Sequence, residues 1–302
     1  DLLEKNCVYG NTKHEVHVYV EVFTNSPFLV CMDLAGSQGE VIDPKYLWVG
    51  PDGKNLEGQR HVNLTETGKL MLTGFKESMS GAYTCTFSHK IIKTTAPEEK
   101  EMVEAYKFMV YAYREAAHAY RVFARFTTKE CELEANSHFF EELKKILNNI
   151  ISDLLCHITK ASYKCHPVRS LNQGLQHELF VTFQVNPFAP GWEETCHQVP
   201  YKCEEVTNRR VQEARDRVGQ FFSQQTYVLK HRFQTPPAIH YLDNSFSVAR
   251  LDSCQPGFGR NNLTSQHCAS CCVACEPGTY SPNNDVTCQA CPRVQEYGAR
   301  SC

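Results

Sequence analysis

The sequence predicts a multi-domain chain, β plus α+β. An N-terminal immunoglobulin-like β-sandwich is followed by a central α+β domain and a small disulfide-rich module. Three features carry that prediction. Cys31 and Cys85 stand 54 positions apart with Trp48 between them and Tyr83 two residues before the second cysteine. Apolar residues then recur at three- and four-residue steps from Phe139 to Leu155. The last stretch, from Ser253 to Cys302, carries half of the 16 cysteines of the chain.

The first feature has a structural meaning and supplies no reactive group. In a sandwich of this class, one cysteine from each sheet meets in the core, a tryptophan covers the bond, and a corner tyrosine hydrogen-bonds back along the chain. Residues 13–113 contain the strands this requires. His17 to Val22 alternates, Phe28 to Cys31 and Tyr46 to Val49 form core strands, and Gly50-Pro51-Asp52-Gly53 has turn chemistry. Lys69 to Leu72 alternates again, and Tyr83 to His89 and Tyr106 to Tyr113 complete the set, joined by a polar tip around Pro97. Met79 stands where an acid is expected four residues before the corner tyrosine.

Residues 114–252 read differently. Tyr120 to Thr127 is strand-like. Phe139, Leu143, Ile146, Leu147 and Ile150 trace one helix face, with Asn136 or Ser137 as its N-cap. Ser162 to Val168 and Glu178 to Val185 look extended. Val211, Ala214, Val218 and Phe222 trace a second helix, with Glu204 and Glu205 near its start, where the macrodipole favours acids. Short strands at 238–242 and 246–251 follow. This order fits an antiparallel sheet with two helices, in a split βαβ arrangement.

Residues 253–302 hold a weak repeat. Cys254-Gln255-Pro256-Gly257 leads to Cys268-x-x-Cys271, and Cys275-Glu276-Pro277-Gly278 leads to Cys288-x-x-Cys291. So short a segment cannot fold on apolar burial alone and needs crosslinks. The C-x-x-C pairs have zinc spacing. An oxidising compartment favours disulfides over metal, however, and the even cysteine count suggests complete pairing.

Charge and motifs narrow the function. Net charge is −3 and the isoelectric point is about 6.5, which gives no electrostatic case for nucleic acid. No run of the chain reaches the roughly 18 apolar residues of a membrane span. The chain opens on Asp1-Leu2-Leu3-Glu4, read as a mature start without a leader. Asn63-Leu64-Thr65 and Asn262-Leu263-Thr264 are glycosylation sequons. His177-Glu178 lacks the second histidine of a zinc-protease helix, and there is no G-x-S-x-G elbow. Paired acids such as Glu193-Glu194 are adjacent in sequence and read as solvated. A binding role without cofactor or metal is expected, with an unrecognised hydrolase as the rival. The loop Asn186-Pro187-Phe188-Ala189-Pro190-Gly191-Trp192 offers Phe188 and Trp192 on a stiffened frame, suited either to binding or to packing.

Several long stretches point to a family. They are Ile42 to Pro51, Val110 to Glu115, His177 to Phe180 running into Asn186 to Trp192, Arg250 to Gly259, Cys268 to Cys272 and Tyr297 to Cys302. In these the chain resembles the zona pellucida-binding proteins of the sperm acrosome. The resemblance implies a secreted, non-enzymatic glycoprotein of the acrosome lumen that binds the egg coat and supports acrosome formation. Its partners would be zona pellucida glycoproteins or acrosomal matrix proteins. A purely structural matrix role is the alternative.

Overall fold

A computed structural model describes residues 6–34, 42–92, 99–170, 174–199, 202–224, 239–260 and 271–302. Their contacts divide the chain into two compact units. One comprises Asp1–Glu115, Gly257–Pro282 and Val286–Cys302, and the other Ala116–Pro256 with Asn283–Asp285.

The first unit starts with β1 (Cys7–Tyr9), β2 (Val16–Glu21), β3 (Phe28–Val30) and β4 (Ile42–Val49). It continues with β5 (Val62–Leu64), β6 (Lys69–Leu72), β7 (Gly81–Ile92) and β8 (Glu99–Arg114). One sheet has the order β1-β3-β6-β5, and in the other β2 and β7 flank β8, with β4 beyond β7. Inward residues alternate along each strand, as a sheet with one buried face requires. Tyr83, Cys85 and Phe87 on β7 and Tyr106, Phe108 and Val110 on β8 are all buried. Cys31 and Cys85 form a disulfide with Cα atoms 5.9 Å apart. Trp48 is 2% exposed and tilts against Phe108. The Tyr83 hydroxyl donates to the Met79 carbonyl at 2.5 Å, so the corner bond uses backbone and needs no acidic side chain at 79.

The second unit holds β9 (Ala117–Thr128), α1 (Leu133–Ile151), β10 (His157–Ser170) and β11 (Gly174–Asn186). Then come α2 (Trp192–Gln198), α3 (Cys203–Ser223), β12 (His240–Tyr241) and β13 (Ser247–Ser253). β11 lies between β9 and β10 and is antiparallel to both, so β9 and β10 run parallel across it with α1 as the crossover. β9 likewise separates β11 from β13, with α3 in the second crossover. Two interleaved split βαβ units result, as the element order predicts. Phe139, Leu143 and Leu147 of α1 and Val211, Val218 and Phe222 of α3 pack on Val122, Phe126, Val181 and Phe183 of the sheet. The helical three- and four-residue spacing supplies those faces.

Two details differ from the sequence expectation. α1 begins at Leu133 after Glu132, which makes no side-chain cap, and Asn136 lies buried inside the helix. The helix therefore starts a turn earlier than its apolar stripe. Cys156 is a buried free thiol, so the cysteines do not form a complete set of bridges. An even count fixes parity alone, and packing decides which sulfurs meet. Burial pushes the Cys156 thiol up to about 12, which leaves it protonated and inert.

The remaining strands are β14 (Phe258–Arg260), β15 (Cys272–Ala274), β16 (Thr279–Tyr280) and β17 (Gln289–Ala290). Each copy of the C-x-P-G repeat turns at its glycine, with φ of +91° at Gly257 and +88° at Gly278. A short strand follows each turn, and the pairs β14–β15 and β16–β17 are antiparallel. At Gly257 a Cβ would stand 2.7 Å from the Gly298 carbonyl oxygen, so only glycine fits there. Cys288 bonds Cys275, and Cys291 bonds Cys302. By its contacts most of this segment groups with the sandwich. β15 pairs with Tyr113 and Arg114 of β8, just beyond Val110, where β7 leaves that edge. An unpaired strand edge is a template for another strand, and the tail fills it.

Candidate recognition surfaces

Four surfaces bear on recognition. The first is a groove of about 510 Å³ along the open side of the sandwich, lined by Tyr46, Leu47 and Trp48 of β4 and by Asn63, Thr65 and Glu66. β4 and β5 are the outermost strands of their sheets on this side. The Trp48 indole N–H donates to the Gly68 carbonyl at 2.9 Å and closes the groove floor. Gly68 has φ of +81°, and a Cβ there would overlap the Tyr46 ring. Burial raises the Tyr46 hydroxyl above its ordinary pKa. Asn63 is exposed on the groove wall. Asn262, the other sequon, lies outside the described residues, as does Cys268.

The second surface joins sandwich and tail within the first unit. Tyr111 of β8 stacks with His17 at 5.7 Å and with Tyr19 at 5.2 Å. Its hydroxyl is pushed above the ordinary tyrosine range, first by burial and then by Glu276 of the tail. Tyr297 is raised by the same two causes in the same order. Arg114, at the end of β8, lies 3.6 Å from Glu77 with its side chain 8% exposed. Its guanidinium sits 5.6 Å from the ring centres of both Phe23 and Phe258, so one cation bridges sandwich and tail aromatics.

The third surface is the proline-stiffened loop, whose rings the sequence left open between binding and packing, and in the structure both are buried. Phe188 and Trp192 are 7% and 6% exposed. Their rings meet edge to face at 5.1 Å and pack with Ala117. Two local bonds turn them inward. Asn186 Oδ1 accepts the Phe188 N–H at 2.8 Å, and the Ala189 carbonyl accepts the Trp192 N–H at 3.1 Å as α2 begins. Arg210 braces the loop from α3, donating to the Leu154 carbonyl at 2.7 Å and the Pro187 carbonyl at 3.4 Å.

The fourth surface was not singled out from the sequence. Both helices pack on one face of the central sheet, and the other face presents the alternate residues of each strand. Phe123, Arg125 and Thr127 of β9 lie beside Thr182, Phe180 and Glu178 of β11, with Ser162, Lys164 and His166 of β10 beyond, and Arg121 is the next residue of β9 on this face. Phe123 and Phe180 contact each other at 5.9 Å, and Arg125 pairs with Glu178 at 3.5 Å. The signal was present in the alternation Arg121-Val122-Phe123-Ala124-Arg125. The rings become neighbours only through the strand register, which that pattern does not contain.

Among the described residues, no group of three His, Cys, Asp or Glu side chains is placed to hold a metal ion. No helix among them is long and apolar enough to cross a membrane. Burial lowers the pKa of His118 and of His157. The disulfides fit a secreted or extracellular setting.

Comparison with known proteins agrees with this architecture. Residues 15–114 match the zona-pellucida-binding protein (Sp38) N-terminal Ig domain, and residues 254–302 match the Sp38 C-terminal EGF-like domain. Zona pellucida-binding protein 2 of Gallus gallus is 60% identical over 99% of this chain and 85% of its own length. The Rattus norvegicus protein of that name is 50% identical, over 98% of this chain and 90% of its own. Zona pellucida-binding protein 1 of Sus scrofa is 33% identical, over 99% of this chain and 83% of its own. Identity at that level along almost the entire sequence shows that the chain belongs to the zona pellucida-binding protein family.

Proposed function

We propose that the chain is a secreted, non-catalytic adhesion protein of the sperm acrosome that binds glycoproteins of the egg coat and supports acrosome formation. The observation that carries the reading is identity of 60% with a relative named for zona pellucida binding, spread over 99% of the chain. The fold is consistent with it. A disulfide-braced sandwich with a docked cysteine-rich tail can hold binding surfaces in place. In this reading the division into residues 13–113, 114–252 and 253–302 describes three sequence modules. Asn63 and Asn262 carry glycans, and the Asn63 glycan fills the groove beside it, which directs the egg coat elsewhere.

The test is retention of the full chain on intact egg coats. Labelled protein should bind saturably and be displaced by unlabelled protein. Retention no greater than that of an unrelated sandwich protein would overturn the proposal. Deleting the sandwich is a poor variant, because β15 would lose the strand it pairs with.

A further inference from the structure

We infer that the open face of the central sheet is a docking surface for acidic oligosaccharide chains, the sulfated sugars of a glycoprotein. This deepens the egg-coat reading and rests on it for the source of the sugar. Phe123 and Phe180 sit on β9 and β11, the two central strands of the sheet. Val122, Ala124, Leu179 and Val181, on the same strands, are fully buried on the helix side, so the period of two sends both rings outward. Each ring is bracketed by cations. Phe180 lies across from Arg125 on one side and Lys164 on the other, and Phe123 stands between Arg121 and Arg125 along its strand.

Arg121, Arg125 and Lys164 are exposed, and Glu178 is paired with Arg125. Among the described residues, Arg121 and Lys164 have no ion-pair partner. The face is therefore cationic in a chain whose net charge is −3. An aromatic pair across two strands is stabilising by itself, but that does not account for the cations around it. A sugar ring presents a flat face of C–H bonds that stacks on an aromatic π face, and its sulfate groups project from the edge. Guanidinium groups beside the rings match that layout, since the planar fork takes an oxyanion through two N–H bonds. A four-stranded sheet with aromatics on its central strands is a known stacking platform for single-stranded RNA. The oxidising setting marked by the disulfides favours sugar over nucleic acid here.

The experiment uses the full chain and a fluorescent, size-defined heparin hexasaccharide, with its desulfated counterpart and a single-stranded RNA oligonucleotide as separate arms, at about 0.15 M salt. The sulfated sugar should bind and the desulfated one should not. Phe123→Leu and Phe180→Ala should each weaken binding by about tenfold, the loss of one stacking contact. Arg121→Gln and Lys164→Gln should weaken it and flatten its salt dependence. Near-ultraviolet circular dichroism checks folding, and Phe180→Leu replaces Phe180→Ala if the latter does not fold. Absence of binding, binding unchanged by loss of the rings, or tighter binding of RNA would each overturn the inference. Egg-coat retention of the same variants separates the two readings. Coats still retained by a variant that has lost the hexasaccharide would support the face as a sugar site, overturn the egg coat as the source of its sugar, and leave egg-coat binding standing. Hexasaccharide bound by a chain that ignores egg coats would support the face and overturn the egg-coat reading.

Discussion

The sandwich with its tail and the central α+β unit reach stability by different physical routes. In the first, sulfur bridges and a shared strand edge hold short elements, several of only two or three residues, which bury little by themselves. In the second, two long helices lay apolar faces on a sheet, and Phe126, Phe183 and Phe222 stack at the centre. There the bridges Cys131–Cys165 and Cys196–Cys203 link segments at the margins of the core. The contrast shows that a high cysteine count can be local in its effect. The tail of the first unit depends on crosslinks, and the central unit would fold on apolar burial.

The largest single-residue effect should come from the apolar core. Phe222 lies within ring contact of Phe126, Phe183, Phe221, Tyr241 and Phe246, so Phe222→Ala should cost the central unit about 4 kcal/mol in chemical denaturation. The transition of the sandwich unit should not move. A common shift of both would break the comparison.

Next is the cation between sandwich and tail. Glu77→Ala removes the carboxylate facing the buried Arg114 guanidinium and should cost the first unit about 2 kcal/mol by the same measurement. Tyr83→Phe keeps the ring and deletes the 2.5 Å bond to Met79, for about 1 kcal/mol. The smallest effect concerns pH. His118 and His157 have folded pKa values held below 6.5, first by burial. Below pH 6.5 the unfolded chain binds more protons than the folded one, so this part of the stability is complete above 6.5 and declines as pH falls below it. Melting of the central unit against pH should show that decline, and His157→Gln should flatten it.

Legibility in the sequence follows the same divide. The sandwich was readable because Cys31, Trp48, Tyr83 and Cys85 have roles fixed by spacing. The helices were readable because α1 and α3 repeat their apolar residues with the helical period. The union of tail and sandwich was not, since Cys272 to Ala274 is too short to carry a period and its partner lies far away in sequence. Phe188 and Trp192 could not be assigned because an aromatic pair between prolines looks the same whether it packs or projects. The choice was made by bonds from Asn186 and Arg210, which no local pattern encodes. The open face stayed hidden for a related reason: Phe123 and Phe180 are 57 positions apart, and only pairing in register makes them neighbours.

Hydrogen exchange read by mass spectrometry, before and after reduction of the native protein, tests the central claim most directly. Peptides from β9, β11 and α3 should keep their protection, while those from β14 to β17 lose theirs and those from β7 and β8 weaken. Simultaneous loss across both units, or a tail that stays protected once its sulfurs are reduced, would contradict the account.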